Sequence, residues 1–213
     1  MSSQERGILT IISGFSGAGK GTVVKALLAK YPDRFRLSVS ATTRQPRDGE
    51  EHGVHYFFRS RDEFEQMIAE NQLLEYAQYV ENYYGTPRQY VEKQLAAGHD
   101  VILEIEQQGA FQVKKAMPEA ILIFLTPPTI EELERRLRGR NTETEEVIAS
   151  RLAQASIEAE NIDLYDYIVI NDDVDGCVES LKHLIDGEHQ KTCLNEAKIQ
   201  ELQRDLQIYR KGE

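Results

Sequence analysis

The sequence predicts an α/β fold with a parallel sheet at its centre, and two observations lead to this prediction. First, four short apolar runs rich in β-branched residues cover residues 8–12, 101–105, 121–125 and 167–170. The apolar residues in these runs are mostly consecutive rather than alternating, as is typical of strands that are covered on both faces. Second, helical patterns lie between the runs, and strands that alternate with helices pair in parallel. The expected architecture is therefore a three-layer one.

A glycine-rich segment follows the first predicted strand and opens an amphipathic helix. The segment consists of Gly14, Phe15, Ser16, Gly17, Ala18, Gly19, Lys20, Gly21 and Thr22. It fits the pattern G-x-x-x-x-G-K-[ST] through Lys20, but Gly21 stands at the hydroxyl position and Thr22 comes one place later. Backbone N–H groups, the helix dipole and the lysine charge together predict a site for a nucleotide's phosphates. The structural alternative is a tight turn with nothing bound.

The next elements follow from apolar spacing. Val23, Val24, Leu27 and Leu28 share one helical face, which ends before Pro32. Residues 34–40 alternate between apolar and polar side chains, which predicts a further, more exposed strand.

Residues 41–94 differ in texture, with polar loops, aromatic clusters and one helix that carries Phe64, Met67 and Ile68 on one side. We interpret this region as an inserted subdomain.

After the third core strand, Thr129 with Glu132 predicts a capping box and a first helix, and Thr142 with Glu145 predicts a second helix. Arginines cluster where these two helices meet.

The tail from residue 188 is charged, and it carries Leu194, Ile199, Leu202 and Leu206 in one narrow stripe. This spacing predicts a terminal helix that packs on the body or on a second subunit. The helix is therefore a candidate surface for forming a homo-oligomer.

Composition excludes several classes of function. The 213 residues carry a formal net charge of -11, which argues against a nucleic-acid partner or an anionic membrane. No apolar run approaches the ~20 residues of a membrane span, and we expect a soluble, cytoplasmic protein. The 2 cysteines have no metal-site or disulfide spacing.

Two further segments carry groups suited to binding a second nucleotide. Arg44 and Arg47 lie three residues apart in a loop with Pro46, which suits bidentate binding of an acceptor phosphate. Glu75, Tyr84 and Thr86 could hold a base by its edge. A solvated surface loop is the alternative interpretation for the arginine pair.

At this point the chain resembles guanylate kinase over roughly its first 185 residues. The segments that carry the resemblance, in the family's order, are 13–22, 38–47, 55–57, 82–86, 103–109, 136–146 and 169–173. The resemblance implies a P-loop NTPase-type fold with a GMP-binding insert and a helical lid, and transfer of phosphate from ATP to GMP with Mg²⁺.

The implied domain spans residues 1–187, and residues 188–213 form a helical tail. Within the domain, the core would cover 1–39, 95–130 and 153–187, the insert about 40–94, and the lid about 131–152. The resemblance also implies large closure of the insert and lid around both nucleotides.

Carried over by position, the resemblance implies the following site residues. The ATP-binding residues would be Gly14 to Thr22 and Asn171, and Asn171 could equally belong to a strand-to-helix turn. The catalytic residues would be Lys20, Arg136, Arg140 and Arg151. The GMP-binding residues would be Ser40, Arg44, Arg47, Tyr56, Glu75, Tyr84, Thr86 and Glu104. For Glu104, a solvated carboxylate at a strand end is the alternative.

The chain departs from the family's pattern at several positions. Gly21 has no hydroxyl to bind the metal, so the ligand would be Thr22, water or the nucleotide itself, and no protein ligand is assigned. Phe15 replaces a usual proline, Glu106 a usual aspartate and Asn141 a usual glycine. Two rival functions are an inactive module that binds a phosphopeptide in the same cleft, and a kinase for another nucleoside monophosphate.

Overall fold

The computed structural model describes residues 6–139 and 144–210. The strands are β1 (Leu9–Gly14), β2 (Phe35–Leu37), β3 (Ala41–Thr42), β4 (Phe57–Phe58), β5 (Leu73–Tyr79), β6 (Asn82–Pro87), β7 (Asp100–Glu104), β8 (Ile121–Thr126) and β9 (Tyr167–Ile170). The helices are α1 (Lys20–Lys30), α2 (Arg61–Ala69), α3 (Arg88–Ala96), α4 (Gln107–Ala116), α5 (Ile130–Arg138), α6 (Glu145–Ala159), α7 (Val174–His189) and α8 (Glu196–Leu206).

The central sheet has five parallel strands in the order β2-β7-β1-β8-β9, which confirms the predicted α/β class. The four apolar runs form its four longest strands. Their parallel pairing brings the carboxyl ends to one edge, where Gly14 ends β1 and Glu104, in register with Ile12, ends β7. Ligands of open parallel sheets bind at this edge.

Apolar side chains cover the sheet on both faces. One core contains Val23 and Leu27 of α1 with Leu181 of α7, and the other contains Val91 of α3 and Val113 of α4. Burial on both faces explains why the central strands read as continuous apolar runs.

The strand predicted at residues 34–40 is shorter than expected. Only Phe35–Leu37 pairs, at the edge of the sheet, with Phe35 buried and Leu37 exposed. Beyond it, Ala41–Thr42 pairs with the second sheet instead, so the chain changes sheets within the segment that alternation assigned to one strand.

The second sheet lies within the region interpreted as an insert. It has four strands in the order β4-β3-β6-β5, with β3 parallel to β4 and antiparallel to β6. A small separate core contains Ala41, Leu73 and Phe64, and the Phe64 ring stacks on Tyr83 at a centroid distance of 5.3 Å.

The two helices of the predicted lid begin differently from the sequence expectation. The Thr129 hydroxyl accepts the Glu132 N–H at 3.1 Å, but the Glu132 carboxylate binds Arg135 and Arg136, so only half of the capping box forms. Helix α6 begins at Glu145 after Thr144, and the predicted cap Thr142 lies outside the described residues.

The last α-helix of the described residues is α8, and its residues are mostly exposed. Leu202 and Leu206 are exposed on this helix. In the part of the chain that the structure describes, no helix is long and apolar enough to cross a membrane.

Candidate active site

The glycine-rich loop turns sharply at the carboxyl end of β1, where two glycines allow backbone that other residues do not. Gly14 has a φ of +149°, and a Cβ there would lie 1.9 Å from the Leu125 carbonyl oxygen of the neighbouring strand. Gly19, at the start of α1, has a left-handed φ of +91°. The loop is therefore held by the sheet on one side and the helix on the other.

Three described cationic side chains contact this loop. Lys20 Nζ donates to the carbonyl oxygens of Gly14 at 2.5 Å and Phe15 at 3.2 Å. Arg136 of α5 donates to the Ala18 carbonyl at 3.4 Å, and Arg151 of α6 donates to the Ser16 hydroxyl. Arg140, the fourth predicted catalytic residue, lies outside the described residues, as does Asn141.

Three other residues in or beside the loop differ in their burial and contacts. The Phe15 side chain is buried and packs edge-on against Phe124, with the centroids 4.9 Å apart, so its backbone is the part that belongs to the loop surface. Asn171 is buried, and its Nδ2 donates to the Ala18 carbonyl at 2.8 Å. Thr22 is exposed in the first turn of α1.

The arginine loop of the insert is organised around a carboxylate. Glu50 accepts from Arg44 Nη2 at 2.9 Å and from the Arg47 N–H at 2.8 Å. These two donors lower the pKa of Glu50 to about 2. The Arg44 guanidinium also lies 5.4 Å from the Tyr56 ring centroid, and Tyr56 is 6.3 Å from the ring of Tyr84.

A second carboxylate holds an arginine beside the glycine-rich loop. Glu132 accepts from Arg136 Nε at 2.7 Å, and its bonds to Arg135 and Arg136 lower its pKa to about 2. Sequence reasoning missed both Glu50 and Glu132 as partners of site arginines. The four-residue spacing of Glu132 and Arg136 on a helix was a readable signal for the second.

Glu75 of β5 is a buried carboxylate. Its Oε1 accepts from the Thr86 hydroxyl at 2.6 Å, and desolvation raises its pKa. Thr86 is also buried, so the structure brings these two predicted GMP-binding residues into direct contact.

A cleft of about 200 Å³ separates the insert from the central sheet. Ser40 and Tyr56 line it from the insert, and Glu104 lines it from the end of β7. Glu104 also borders the glycine-rich loop, because its Oε1 lies 3.4 Å from the position that a Cβ on Gly21 would take. Although Glu104 is partly exposed, desolvation in the cleft raises the pKa of its carboxyl group, while the charge of Lys20 opposes this.

Comparisons with known proteins agree with this geometry. The sequence model described as "Guanylate kinase" matches residues 6–188. The chain belongs to the guanylate kinase family. It is 55% identical over 184 residues to the guanylate kinase of Bacillus anthracis, covering 86% of this chain and 90% of that protein. It is 53% identical over 188 residues to the guanylate kinase of Bacillus subtilis (strain 168), covering 88% and 92%.

A solved structure extends the likeness to the fold. The crystal structure of guanylate kinase from Anaplasma phagocytophilum aligns with a TM-score of 0.66 at 31% identity, covering 89% of this chain and 90% of that chain. The resemblance noted from the sequence motifs is thereby confirmed, and so is the P-loop NTPase fold. Helix α8 lies beyond the residues that the guanylate kinase family model matches.

Proposed function

We propose that this chain transfers the γ-phosphoryl group of ATP directly to GMP, giving ADP and GDP. One observation carries the proposal: Glu104 lines the cleft next to the insert and also borders the start of α1 beside Lys20. The cleft that we propose for the second nucleotide therefore adjoins the phosphate loop, as direct in-line transfer requires.

On the donor side, the loop from Gly14 to Thr22 would hold the ATP phosphates. Lys20 would exchange the carbonyl oxygens that it contacts for phosphate oxygens and would follow the charge during transfer. Arg136 and Arg151, which already reach the loop, would neutralise the moving phosphoryl group, and Arg140 is proposed to join them. Such arginines contribute roughly 10³-fold or more in rate. Contact of Asn171 with adenine stays a prediction.

On the acceptor side, Arg44 and Arg47 would bind the GMP phosphate with the hydroxyls of Tyr56 and Tyr84. Glu75 would accept hydrogen bonds from guanine N1–H and the 2-amino group. Adenine offers an acceptor at N1 and would leave this buried carboxylate unpaired. Ser40, Thr86 and Glu104 complete the proposed base site. Thr86 donates to Glu75 in this structure, so its part includes orienting that carboxylate.

We propose that Mg²⁺ arrives with ATP. When bound, this ion would neutralise charge on the phosphates, and it prefers oxygen ligands. The exposed Thr22 hydroxyl at the start of α1 suits this hard cation. No group of three or more His, Cys, Asp or Glu side chains within residues 6–139 and 144–210 could hold a metal. The proposed ligands are therefore the nucleotide phosphates, water and Thr22.

The division into core, insert and lid, and the closure of the last two around both nucleotides, remain part of the proposal. The separate sheet and core of the insert support treating it as one moving unit. Closure would exclude water from the transferring phosphoryl group. The cytoplasm is the proposed location.

We also propose that α8 mediates association with a second copy of the chain. Ile199, Leu202 and Leu206 of α8 are spaced three and four residues apart, as is typical of a helix seam, and Leu202 and Leu206 are exposed. Light scattering should show a dimer that becomes monomeric when Leu202 and Leu206 are both replaced by Gln. A monomeric parent chain would contradict this.

The activity is tested by a coupled assay of the purified chain with ATP, Mg²⁺ and each monophosphate in turn. We expect efficient turnover of GMP and poor turnover of AMP, UMP and dTMP. Comparable turnover of another monophosphate would favour the rival kinase. No turnover with tight binding of a phosphoserine peptide would favour the inactive binding module.

A further inference from the structure

The strand that carries Glu75 is irregular at the position of this residue. Leu73 pairs with Pro87 and Tyr76 with Gly85, so Leu74 and Glu75 on β5 stand opposite the single residue Thr86 on β6. A bulge of this kind redirects side chains. Here Leu74 packs into the core beneath the central sheet, while Glu75 is buried beside Thr86.

Helix α4 supports this bulge from below. Gly109, in its first turns, is buried, and a Cβ there would lie 3.1 Å from Glu75 Oε2 and 3.3 Å from Ile105 Cδ1. Both distances are closer than ordinary van der Waals contact. The absence of a side chain at this position therefore leaves the space that the second carboxylate oxygen uses.

Gln112 lies three residues further along, on the same face of the helix. Its Oε1 accepts the Tyr76 N–H at 3.2 Å, and its Nε2 donates to the Tyr76 carbonyl at 3.3 Å. The side-chain amide thus pairs with the strand backbone at the residue after Glu75, much as a neighbouring strand would. It fixes the chain where the bulge ends.

We propose that Gly109 and Gln112 are positioning residues that set the selectivity for guanine through Glu75. Thr86 orients one oxygen of the Glu75 carboxylate, and Gly109 makes room for the other oxygen. Gln112 holds β5, the strand that carries Glu75. This inference rests on the proposed function, in which Glu75 recognises the base. The two residues act through Glu75 and have no assigned contact with the nucleotide.

Two single variants test the proposal, each with a matched control. Gly109→Ala adds the crowding methyl group, and its control is Gly187→Ala, a helical glycine with no atom within 4 Å of a Cβ. Gln112→Leu removes both hydrogen bonds, and its control is Gln94→Leu. Gln94 is half-buried on α3, and its side chain makes no hydrogen bond within the described residues.

The probes are GMP and IMP, because IMP keeps N1–H but lacks the 2-amino group. Displacing Glu75 should cost GMP more than IMP, since only GMP uses both carboxylate hydrogen bonds. We expect kcat/KM for GMP to fall about tenfold in Gly109→Ala and about fivefold in Gln112→Leu, and the preference for GMP over IMP to fall at least about threefold in both. The KM for ATP should stay the same.

Thermal unfolding separates positioning from misfolding. Alanine is a better helix former than glycine, which offsets part of the cost of the crowding, so the Tm of Gly109→Ala should stay close to that of the parent chain while selectivity is lost. An unchanged preference for GMP over IMP in both variants, or equal losses for the two nucleotides, would overturn the inference. If the parent chain itself fails to turn over GMP, the proposed function fails instead.

Discussion

The glycine-rich donor loop and the proposed acceptor site are built differently, although an arginine bonded to a carboxylate belongs to each side. The donor loop is one continuous stretch, Gly14 to Thr22, whose shape comes from backbone and glycine. The proposed acceptor site draws its side chains from separate segments: Glu104 lines the cleft, Arg44 is bonded to Glu50, and Glu75 is bonded to Thr86. Backbone suits phosphate, which every nucleotide carries, whereas side chains can distinguish one base from another.

Each side of the site contains an arginine that forms an ion pair with a carboxylate. Glu50 holds Arg44 on the acceptor side, and Glu132 holds Arg136 on the donor side. An arginine that is already oriented loses less conformational freedom when it binds phosphate. The comparison therefore predicts that substitutions on the donor side mainly lower kcat, whereas release of Arg44 on the acceptor side mainly raises the KM for GMP.

The largest effect is expected from the donor side. Lys20→Met keeps an unbranched side chain that is one atom shorter and removes the charge that we propose acts on the transferring phosphoryl group. We expect kcat to fall about 10³-fold, with the KM for GMP nearly unchanged, in steady-state assays at saturating ATP. A loss of less than tenfold would contradict the role assigned to Lys20.

The next effect belongs to the acceptor side. Glu75→Gln replaces an acceptor of two hydrogen bonds by an amide that presents N–H groups to guanine donors. We expect kcat/KM for GMP to fall about 100-fold, and the affinity for ATP, measured by calorimetry, to stay within about twofold. A loss of ATP affinity as large as the loss in kcat/KM for GMP would show that the two sites are not separable as described.

A pair of neutral variants should separate the two sides. Glu50→Gln releases Arg44 and should raise the KM for GMP about tenfold with little change in kcat. Glu132→Gln releases Arg136 and should lower kcat with little change in the KM for GMP. Identical kinetic profiles for the two variants would contradict the comparison. The exposed pair Arg61–Glu65 supplies a control, Glu65→Gln, which should leave both parameters unchanged.

The smallest effect concerns stability in acid. The folded-state pKa of Glu50 is about 2, below its ordinary value of 4.5, so the ionised carboxylate stabilises the fold above pH 4.5. That contribution is lost as the pH falls towards 2. We expect Tm to decline between pH 5 and pH 2 less steeply in Glu50→Gln than in the parent chain. Parallel declines, measured by circular dichroism, would contradict the assignment.

The sequence predicts the donor side better than the acceptor side, and the reason is physical. A strand, a glycine loop, a lysine and a helix are adjacent in the chain, so their spacing alone indicates a phosphate site. The α/β class followed in the same way from four buried apolar runs. By contrast, the contact between Glu75 and Thr86 depends on a bulge, and a local pattern cannot reveal which residue a bulge turns inward.

Other contacts were out of reach because they join distant segments. Arg151 meets Ser16, and Gln112 meets Tyr76, only after the helices have packed on the sheet. The predicted strand at residues 34–40 was too long because alternation cannot show where a chain leaves one sheet for another. Roles of individual site residues stay predictions until variants are measured.

The most direct test of the central claim, that donor and acceptor phosphates meet in one cleft, is calorimetric titration with a bisubstrate analogue that links adenosine to guanosine through five phosphates. We expect one molecule to bind per chain, more tightly than ATP or GMP alone, and both Lys20→Met and Glu75→Gln to weaken that binding. Binding no tighter than that of ATP alone, with no effect of Glu75→Gln, would contradict the account.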